Sequence, residues 1–142
     1  MTRVDYYILS SSEPDDKLHF ACRLAEKAYR SGHKVYIHAS NEEDARHIDD
    51  QLWAFKPESF VPHNLISEPH NTIPPVQIGH SEDPGHHHDV LINLSKEVPQ
   101  FFSRFNRLAE IVINHDSDKE PSRERYRFYQ ERGYLLSNHK IA

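Results

Sequence analysis

The sequence predicts a three-layer α/β domain, with a mostly parallel sheet and helices on both faces. Three observations support this fold class. The first half of the chain alternates short β-branched and aromatic runs with segments of helical period, the length of 142 residues suits one domain, and seven Phe, seven Tyr and one Trp can fill its interior. We therefore expect residues 1–142 to form a single domain.

The N-terminal quarter carries signals for a strand, a helix and a second strand. Residues 3–9 (RVDYYIL) are β-branched and aromatic and end at a serine cluster, which predicts a strand. Apolar residues recur every three or four positions over residues 18–29, with Pro14 before them and Gly32 after them, so a helix is predicted. Residues 35–39 (VYIHA) predict a short strand.

A second helix is predicted immediately afterwards. Ser40 and Glu43 have the spacing of a capping box, in which two side chains satisfy backbone N–H groups of the first helical turn. Ala45, Ile48 and Leu52 then share one helical face. The order of strand, helix, strand and helix is typical of a sheet covered by helices on both sides.

The rest of the chain is predicted to continue this alternation after a proline-rich segment. Residues 56–85 contain six of the nine prolines, so most of this segment is expected to be extended or looped. The further elements rest on apolar runs for strands and helical spacing for helices. They are strands at 76–79 and 89–94, a helix bearing Phe101, Phe102, Phe105 and Leu108, a strand at 110–114, a charged helix at 122–132 before Gly133, and a strand at 134–137.

Charge is distributed unequally along the chain, whose formal net charge is −5. Residues 1–100 hold nine Lys and Arg against sixteen Asp and Glu, a net −7, whereas residues 101–142 hold eight against six, a net +2. An acidic chain lacks the concentrated basic surface that phosphate binding requires, so we expect no direct nucleic-acid binding. A small basic surface near the C-terminus suits an acidic peptide.

The four glycines stand apart from one another, so neither the phosphate-loop motif nor the dinucleotide-binding glycine motif occurs in this chain. The predicted fold is therefore Rossmann-like without a phosphate loop, and we expect no cofactor. Cys22 lies on the apolar face of the first helix and is expected to be a core residue, not a nucleophile. No catalytic constellation is found, which favours a noncatalytic binding module.

Localisation is predicted from apolar runs and cysteine content. No apolar run approaches the roughly 18 residues that cross a bilayer, and Asp5 interrupts the region where a secretory signal would be apolar. A single cysteine forms no internal disulfide, which fits a reducing compartment. We therefore expect a soluble cytoplasmic protein without a membrane partner.

The histidine-rich residues 86–89 (HHHD) invite comparison with a metal site. Adjacent side chains of an extended segment point to opposite sides, so at most two of the three imidazoles would converge on one ion. We expect a solvated loop and no metal site. The rival hypothesis is a degenerate nucleotide-binding enzyme with a site in the proline-rich loop near His86 and Asp89.

Two stretches could form binding surfaces. Residues 52–65 (LWAFKPESFVPHNL) place a Trp and several apolar groups at a helix end and in a proline-restricted loop, where they either tuck into the core or form an exposed patch for a partner. Arg123, Tyr126 and Arg127 share one stripe of the last helix, which is either a solvated basic face or a site for an acidic ligand.

Residues 52–65 resemble the chi subunit of bacterial DNA polymerase III holoenzyme, in which a very similar Leu-Trp and Glu-Ser-Phe-Val-Pro-His-Asn-Leu stretch follows the second helix. Residues 30–35 (RSGHKV) are similar to the family's turn into its second strand, 89–94 (DVLINL) to one of its strands, and 123–126 (RERY) to its last helix. The resemblance covers essentially the whole chain and is weakest in the proline-rich middle.

This resemblance implies a noncatalytic accessory subunit of the clamp-loader assembly. Chi pairs with the psi subunit, which tethers it to the clamp loader, and binds the acidic C-terminal tail of single-stranded DNA-binding protein (SSB). The psi-facing residues that the resemblance implies are Trp53, Phe60, Val61, Pro62 and His63. The tail-binding residues that it implies are Arg123, Tyr126 and Arg127, the last standing where a well-known member has lysine.

Overall fold

The computed structural model describes residues 1–55, 60–68, 72–81 and 83–142. Within these ranges the sheet consists of the strands β1 (Arg3–Leu9), β2 (Val35–His38), β3 (His63–Leu65), β4 (Val76–Gly79), β5 (Val90–Asn93), β6 (Arg107–Val112) and β7 (Leu135–Ile141). All pairs are parallel, and the order across the sheet is β3-β4-β2-β5-β6-β1-β7. The two edge strands are therefore β3 and β7.

Helices cover both faces of the sheet. In the described part of the chain they are α1 (Pro14–Arg30), α2 (Glu42–Phe55) and α3 (Asp116–Glu131). Helices α1 and α2 share one core with Val35 and Ile37, whereas α3 packs into a second core with Tyr36. Because successive strand residues point to opposite faces, the two cores lie on opposite sides of the sheet. The predicted three-layer α/β fold class is confirmed.

Cys22 lies in the first core, as predicted. Its side chain is buried, and burial raises the pKa of the thiol to about 12. A thiol that stays protonated at neutral pH is a poor nucleophile.

None of the helices among the described residues is both long and apolar enough to cross a bilayer.

The strands predicted at residues 3–9, 35–39, 76–79 and 89–94 are confirmed, with ends that shift by one residue or less. Strand β3 was not predicted, because its three residues lie in the proline-rich segment and carry no periodic signal. It forms by pairing with β4, in the register His63 to Val76.

The helix predicted across Phe101–Leu108 is wrong. Phe102–Arg104 form a single 3-10 turn, and Leu108 belongs to β6, which begins at Arg107. The three phenylalanine rings are buried in the second core, so helical spacing here reflects burial and not helical structure. Strand β6 starts three residues before the predicted 110–114, because it pairs with β1 from Arg3 onward.

The last helix and strand are longer than predicted. Helix α3 begins at Asp116, six residues before the predicted start, and the His115 side chain caps it by accepting a hydrogen bond from the Ser117 N–H. Pro121 lies inside the helix, although proline usually interrupts a helix interior because it has no N–H to donate. Strand β7 extends to Ile141 because it pairs with β1 over seven residues.

The N-terminal cap of α2 also differs by one residue. Asn41 caps the helix through its Oδ1, which accepts a hydrogen bond from the Asp44 N–H at 2.8 Å. The predicted cap, Ser40, precedes it. Asparagine and serine both cap well, so the capping-box spacing at Ser40 was an ambiguous signal.

Candidate protein-binding surfaces

An exposed pair of aromatic rings lies near the β3 edge of the sheet. Trp53 and Phe60 expose 57% and 53% of their surface, and their ring centroids are 5.2 Å apart. Helix α2 directs Trp53 outward because Leu52 is buried in the core and the next side chain is turned by about 100° around the helix axis. Together with Val61, Pro62 and His63, these residues are called the aromatic patch below.

The remaining residues of the aromatic patch lie beneath or beside the two rings. Val61 and the His63 side chain are buried, and Pro62 is half-buried. The His63 ring centroid is 4.8 Å from that of Trp53 and 6.0 Å from that of Phe60. Trp53 and Phe60 therefore present the apolar surface that a partner could reach, while His63 supports both rings from the core side.

Two contacts hold the His63 ring. Its Nδ1 donates to the Val61 carbonyl at 2.6 Å. Its Nε2 lies 3.2 Å from Asp49 Oδ1, close enough for an ion pair when the ring is protonated, although without hydrogen-bond geometry. Burial raises the pKa of the Asp49 carboxyl, an effect that His63 opposes. The Nδ1 hydrogen bond therefore orients the ring beneath Trp53 and Phe60, whereas the Asp49 contact contributes only when Nε2 carries a proton.

The second candidate surface is on α3. Arg123 and Arg127 are exposed one helical turn apart, and Tyr126 is half-buried beside them. Neither arginine forms a salt bridge with any residue that the structure describes. Two guanidinium groups without a carboxylate partner, next to a phenol ring, can bind an acidic ligand. Arg123, Tyr126 and Arg127 are called the basic stripe below.

Tyr126 ties the basic stripe to two strands. Its ring packs edge-on against Tyr6 of β1, with centroids 5.0 Å apart. Its hydroxyl oxygen accepts a hydrogen bond from Asn138 Nδ2 of β7 at 3.3 Å. The phenol is therefore held in place by the sheet and does not swing freely on the helix surface.

Arg125 lies between the two exposed arginines in sequence but is buried. Its Nε donates to Glu110 Oε1 at 3.1 Å, and its Nη1 donates to the Lys96 carbonyl at 2.8 Å. The fully buried Glu110 also accepts hydrogen bonds from Asn93 at 3.0 Å and from the Tyr129 hydroxyl at 2.7 Å. Burial raises the pKa of the Glu110 carboxyl, and the Arg125 guanidinium opposes this.

This anchoring network was missed in the sequence. The available signal is the i, i+4 spacing of Arg125 and Tyr129, together with Glu110 in an otherwise apolar strand. A charged residue inside an apolar strand needs a buried partner, and an arginine on the core side of a neighbouring helix supplies one. The network sets how the basic stripe sits over the sheet.

A crevice of about 330 Å³ opens at the carboxyl ends of the strands, where parallel α/β sheets usually bind ligands. Two of its cations are already paired: Lys17 Nζ lies 2.7 Å from Asp118 Oδ1, and Arg125 bonds to Glu110. After β1, where a phosphate loop would follow, the Ser11 hydroxyl donates to the Asp16 carboxylate. Lys96 also lines the crevice and has no salt-bridge partner among the described residues, so the crevice keeps one unpaired lysine.

The histidine stretch differs in part from the predicted solvated loop. His86 and His88 are exposed, but His87 is buried, and its Nε2 donates to the Pro74 carbonyl at 2.8 Å. Burial lowers the pKa of His87, which favours the neutral ring. The Asp89 carboxylate accepts a hydrogen bond from the backbone N–H of Lys34, in the loop before β2. Across the described ranges, no three His, Cys, Asp or Glu side chains are grouped so as to hold a metal ion.

Comparison with known proteins identifies the family. The family model described as "DNA polymerase III chi subunit, HolC" matches residues 1–137. The chain belongs to the DNA polymerase III chi subunit family. The resemblance noted in the sequence is thereby confirmed, and the chi family places the chain among accessory subunits of a DNA-replication complex.

Curated relatives agree with this assignment over nearly their full lengths. The chain is 44% identical over 141 residues to the DNA polymerase III subunit chi of Pseudomonas aeruginosa, covering 99% of this chain and 98% of the relative. It is 35% identical over 138 residues to the chi subunit of Haemophilus influenzae, covering 96% of each. It is 33% identical over 142 residues to that of Escherichia coli, covering 96% and 97%.

Proposed function

We propose that this chi-family chain is a noncatalytic linker of the DNA polymerase III holoenzyme. It joins the clamp loader, through the psi subunit, to the acidic C-terminal tail of SSB during DNA replication. The observation that carries the proposal is the position of two chemically different exposed surfaces: the aromatic patch beside edge strand β3 and the basic stripe beside edge strand β7. A linker requires two such surfaces that can be occupied at the same time.

The aromatic patch suits psi as a protein partner. Large aromatic side chains at the centre of an interface supply most of the binding free energy, and Trp53 and Phe60 are already arranged side by side. Exposed pairs of large apolar rings are otherwise unfavourable in water. Pro57, which we expected to restrict this loop, lies outside the described residues, whereas Pro62, itself part of the patch, is half-buried.

The basic stripe suits the SSB tail, which in this family's partners ends in acidic residues followed by an apolar residue with a free carboxylate. Such a ligand needs cations for its carboxylates and an apolar wall for its last side chain. Arg123 and Arg127 supply the positive charge, and the Tyr126 ring supplies the wall.

The proposal includes no catalysis, no cofactor and no direct nucleic-acid binding. Three features support it on these points. Two cations of the crevice at the carboxyl ends of the strands, Lys17 and Arg125, are paired with carboxylates, the Cys22 thiol is buried, and the net charge of the chain is −5. The rival nucleotide-binding hypothesis gains no support near residues 86–89, because His87 and Asp89 are used in contacts that join loops. The proposed site of action is the cytoplasm.

Titration of a fluorescent SSB-tail peptide tests the proposal. Arg123→Glu and Arg127→Glu should each weaken binding by at least about 1.5–3 kcal/mol, because each charge reversal places a carboxylate against an acidic ligand. Arg23→Glu is the matched control, since Arg23 is an exposed arginine on α1, which covers the opposite face of the sheet. Unchanged affinity in both stripe variants, or an equal loss in Arg23→Glu, would contradict the tail-binding role.

A further inference from the structure

The order of the strands creates a topological switch point between β2 and β5. From β2 the chain passes through α2 to β3, on one side, whereas from β5 it passes through residues 94–106 to β6, on the other side. Helix α2 packs into the first core, and Phe101 and Phe105 pack into the second, so the two connections lie on opposite faces of the sheet. Open parallel sheets usually bind ligands outside the carboxyl ends of the strands at such a point.

A cavity of about 360 Å³ opens at this switch point. Its volume falls within the range of about 300–1,000 Å³ that is usual for small-molecule sites. Much of its lining comes from the carboxyl ends of three neighbouring strands: His38 and Ser40 from β2, His80 and Ser81 from β4, and Ser95 and Lys96 from β5. It is called the switch-point cavity below.

Two buried polar atoms beside the switch-point cavity lack partners. Neither the His38 Nδ1 atom nor the Tyr36 hydroxyl oxygen has a hydrogen-bond partner among the described residues. The centroids of the two rings are 6.1 Å apart. Buried polar atoms normally bond to protein, water or a ligand, so two neighbouring atoms without partners indicate an occupant.

Gly79 shows where the Tyr36 hydroxyl lies. A side-chain carbon at Gly79 would clash with this oxygen, so the hydroxyl lies directly over the end of β4. Gly79 pairs with His38 in the parallel register of β4 and β2, and His80 follows it in the chain. The hydroxyl therefore lies beside the His38 ring, at the end of the sheet where His38 and His80 line the cavity.

The charge of the switch-point cavity favours a carboxylate. Lys96 is exposed and has no salt-bridge partner among the described residues. Burial, together with His80, lowers the pKa of His38 to about 4, so the ring is neutral at pH 7 and has one N–H to donate. One ammonium beside neutral donors matches a single negative charge. A phosphate dianion would bring a second charge towards Glu97, which also lines the cavity.

We propose that the switch-point cavity binds the carboxylate of a small organic acid, which pairs with the Lys96 ammonium and accepts a hydrogen bond from His38. The Tyr36 hydroxyl is a second donor beside the ring. The inference does not rest on the proposed function, because neither the aromatic patch nor the basic stripe contributes a residue to this site.

The competing explanation is that an ordered water satisfies both buried atoms. Buried waters commonly bridge polar groups that have no protein partner. Lys96 would then be a solvated surface lysine, and small acids would not bind. The two explanations therefore differ in whether a carboxylate binds saturably.

The test is an NMR titration of the full chain at pH 7 and fixed ionic strength, with sodium acetate as the probe. The Ser40 and Ser95 backbone amide signals should shift and saturate. Lys96→Ala should weaken acetate binding about fivefold or more, because it removes the paired charge. Lys27→Ala is the matched control, since Lys27 is an exposed lysine on α1. Shifts that do not saturate, equal shifts with chloride, or an equal loss in Lys27→Ala overturn the proposal.

Two further variants test the buried pair. His38→Phe and Tyr36→Phe each remove a donor and keep an aromatic ring, so both should weaken acetate binding, as read from the Ser40 and Ser95 amides. The amide signals of α1 should stay in place and show that the fold is intact. Acetate affinity equal to that of the wild type in both variants overturns the role of the pair. Saturable shifts with inorganic phosphate and none with acetate overturn the choice of a carboxylate.

Discussion

Arg123, Arg125 and Arg127 follow one another at intervals of two positions, yet the helix turns them towards different surroundings. Two positions along a helix rotate a side chain by about 200°, so Arg125 points into the protein when its neighbours point to solvent. Arg125 is 5% exposed and bonds to Glu110, whereas the other two arginines lack a carboxylate partner among the described residues. The same residue type therefore serves folding at one position and is left exposed for the proposed binding at the other two.

The aromatic patch shows the same division between a proposed binding role and a folding role. Phe60→Ala and Trp53→Ala should each weaken psi binding by about 2 kcal/mol or more, roughly thirtyfold, because they remove exposed aromatic anchors. Their unfolding midpoints in urea should change little. Val61→Ala should instead lower the free energy of unfolding by about 1–3 kcal/mol, because Val61 is buried in the core. A Phe60→Ala protein with full psi affinity, measured by calorimetry, would refute the anchor role.

His38 gives a pH-dependent prediction. Burial, together with the nearby His80, lowers the pKa of the His38 imidazole to about 4. In the unfolded chain the ring titrates near its ordinary pKa of about 6.5, so between these pH values the unfolded state binds more protons. The stabilisation from His38 is therefore complete above about pH 6.5 and is lost as the pH falls towards 4.

Two measurements check this behaviour of His38. An NMR titration should give a midpoint near pH 4 for its ring protons. The free energy of unfolding should fall less steeply between pH 6.5 and 4 in His38→Phe than in the wild type, whereas His86→Gln, at an exposed position, should follow the wild-type curve. A His38 midpoint near 6.5 would contradict the prediction.

Helix α3 is attached to the sheet by a buried polar network as well as by apolar packing. Glu110 of β6 accepts hydrogen bonds from Arg125 and Tyr129 of the helix, and Arg125 also reaches the Lys96 carbonyl. These hydrogen bonds are directional, so they can form in only one register of the helix over the strands. Apolar contacts alone would tolerate several registers. The basic stripe therefore keeps a fixed position relative to β7.

Breaking one side of this network should be costly. Arg125→Met leaves the Glu110 carboxyl buried without its cation and should lower the free energy of unfolding by about 3–5 kcal/mol. The double variant Glu110→Gln with Arg125→Met should recover much of that loss, because no uncompensated charge remains. Arg123→Met is the control and should stay within about 0.5 kcal/mol of the wild type. Equal effects of Arg125→Met and Arg123→Met in urea denaturation would contradict the network's role.

Across the whole molecule, the two candidate surfaces belong to opposite edges of the sheet. The aromatic patch lies near β3 and the basic stripe contacts β7, with five strands between these edges. No described residue belongs to both surfaces. Two ligands at these surfaces would therefore not compete for the same described residues.

Psi and the SSB tail should accordingly bind at the same time and independently. The affinity for the tail peptide should be unchanged, within about twofold, when psi is saturating, because the two surfaces share no described residue. By reciprocity, the tail peptide should leave the affinity for psi unchanged as well. Fluorescence titration of the peptide against the chain alone and against the preformed complex with psi measures this. Competition between the two ligands would place them on one shared surface.

Several features followed from local patterns in the sequence. The fold class and the strands at 3–9, 76–79 and 89–94 could be predicted because strand runs and helical spacing reflect burial on one or two faces. The missing glycine motifs excluded a phosphate loop without reference to any contact. The family resemblance at residues 52–65 also pointed to the aromatic patch. The apolar residues in this loop can be seen in the sequence without any knowledge of contacts.

Other features depend on contacts between residues far apart in the chain. Strand β3 exists because β4 pairs with it, and residues 101–108 are buried without forming a helix because the second core accepts their rings from a 3-10 turn and a strand. The burial of Arg125 depends on Glu110, fifteen residues earlier, and the contact of Tyr126 with Asn138 depends on the register of β7 with β1. Periodicity along one segment indicates that some of its positions are buried, but it does not say which distant element buries them, and that element decides the local structure.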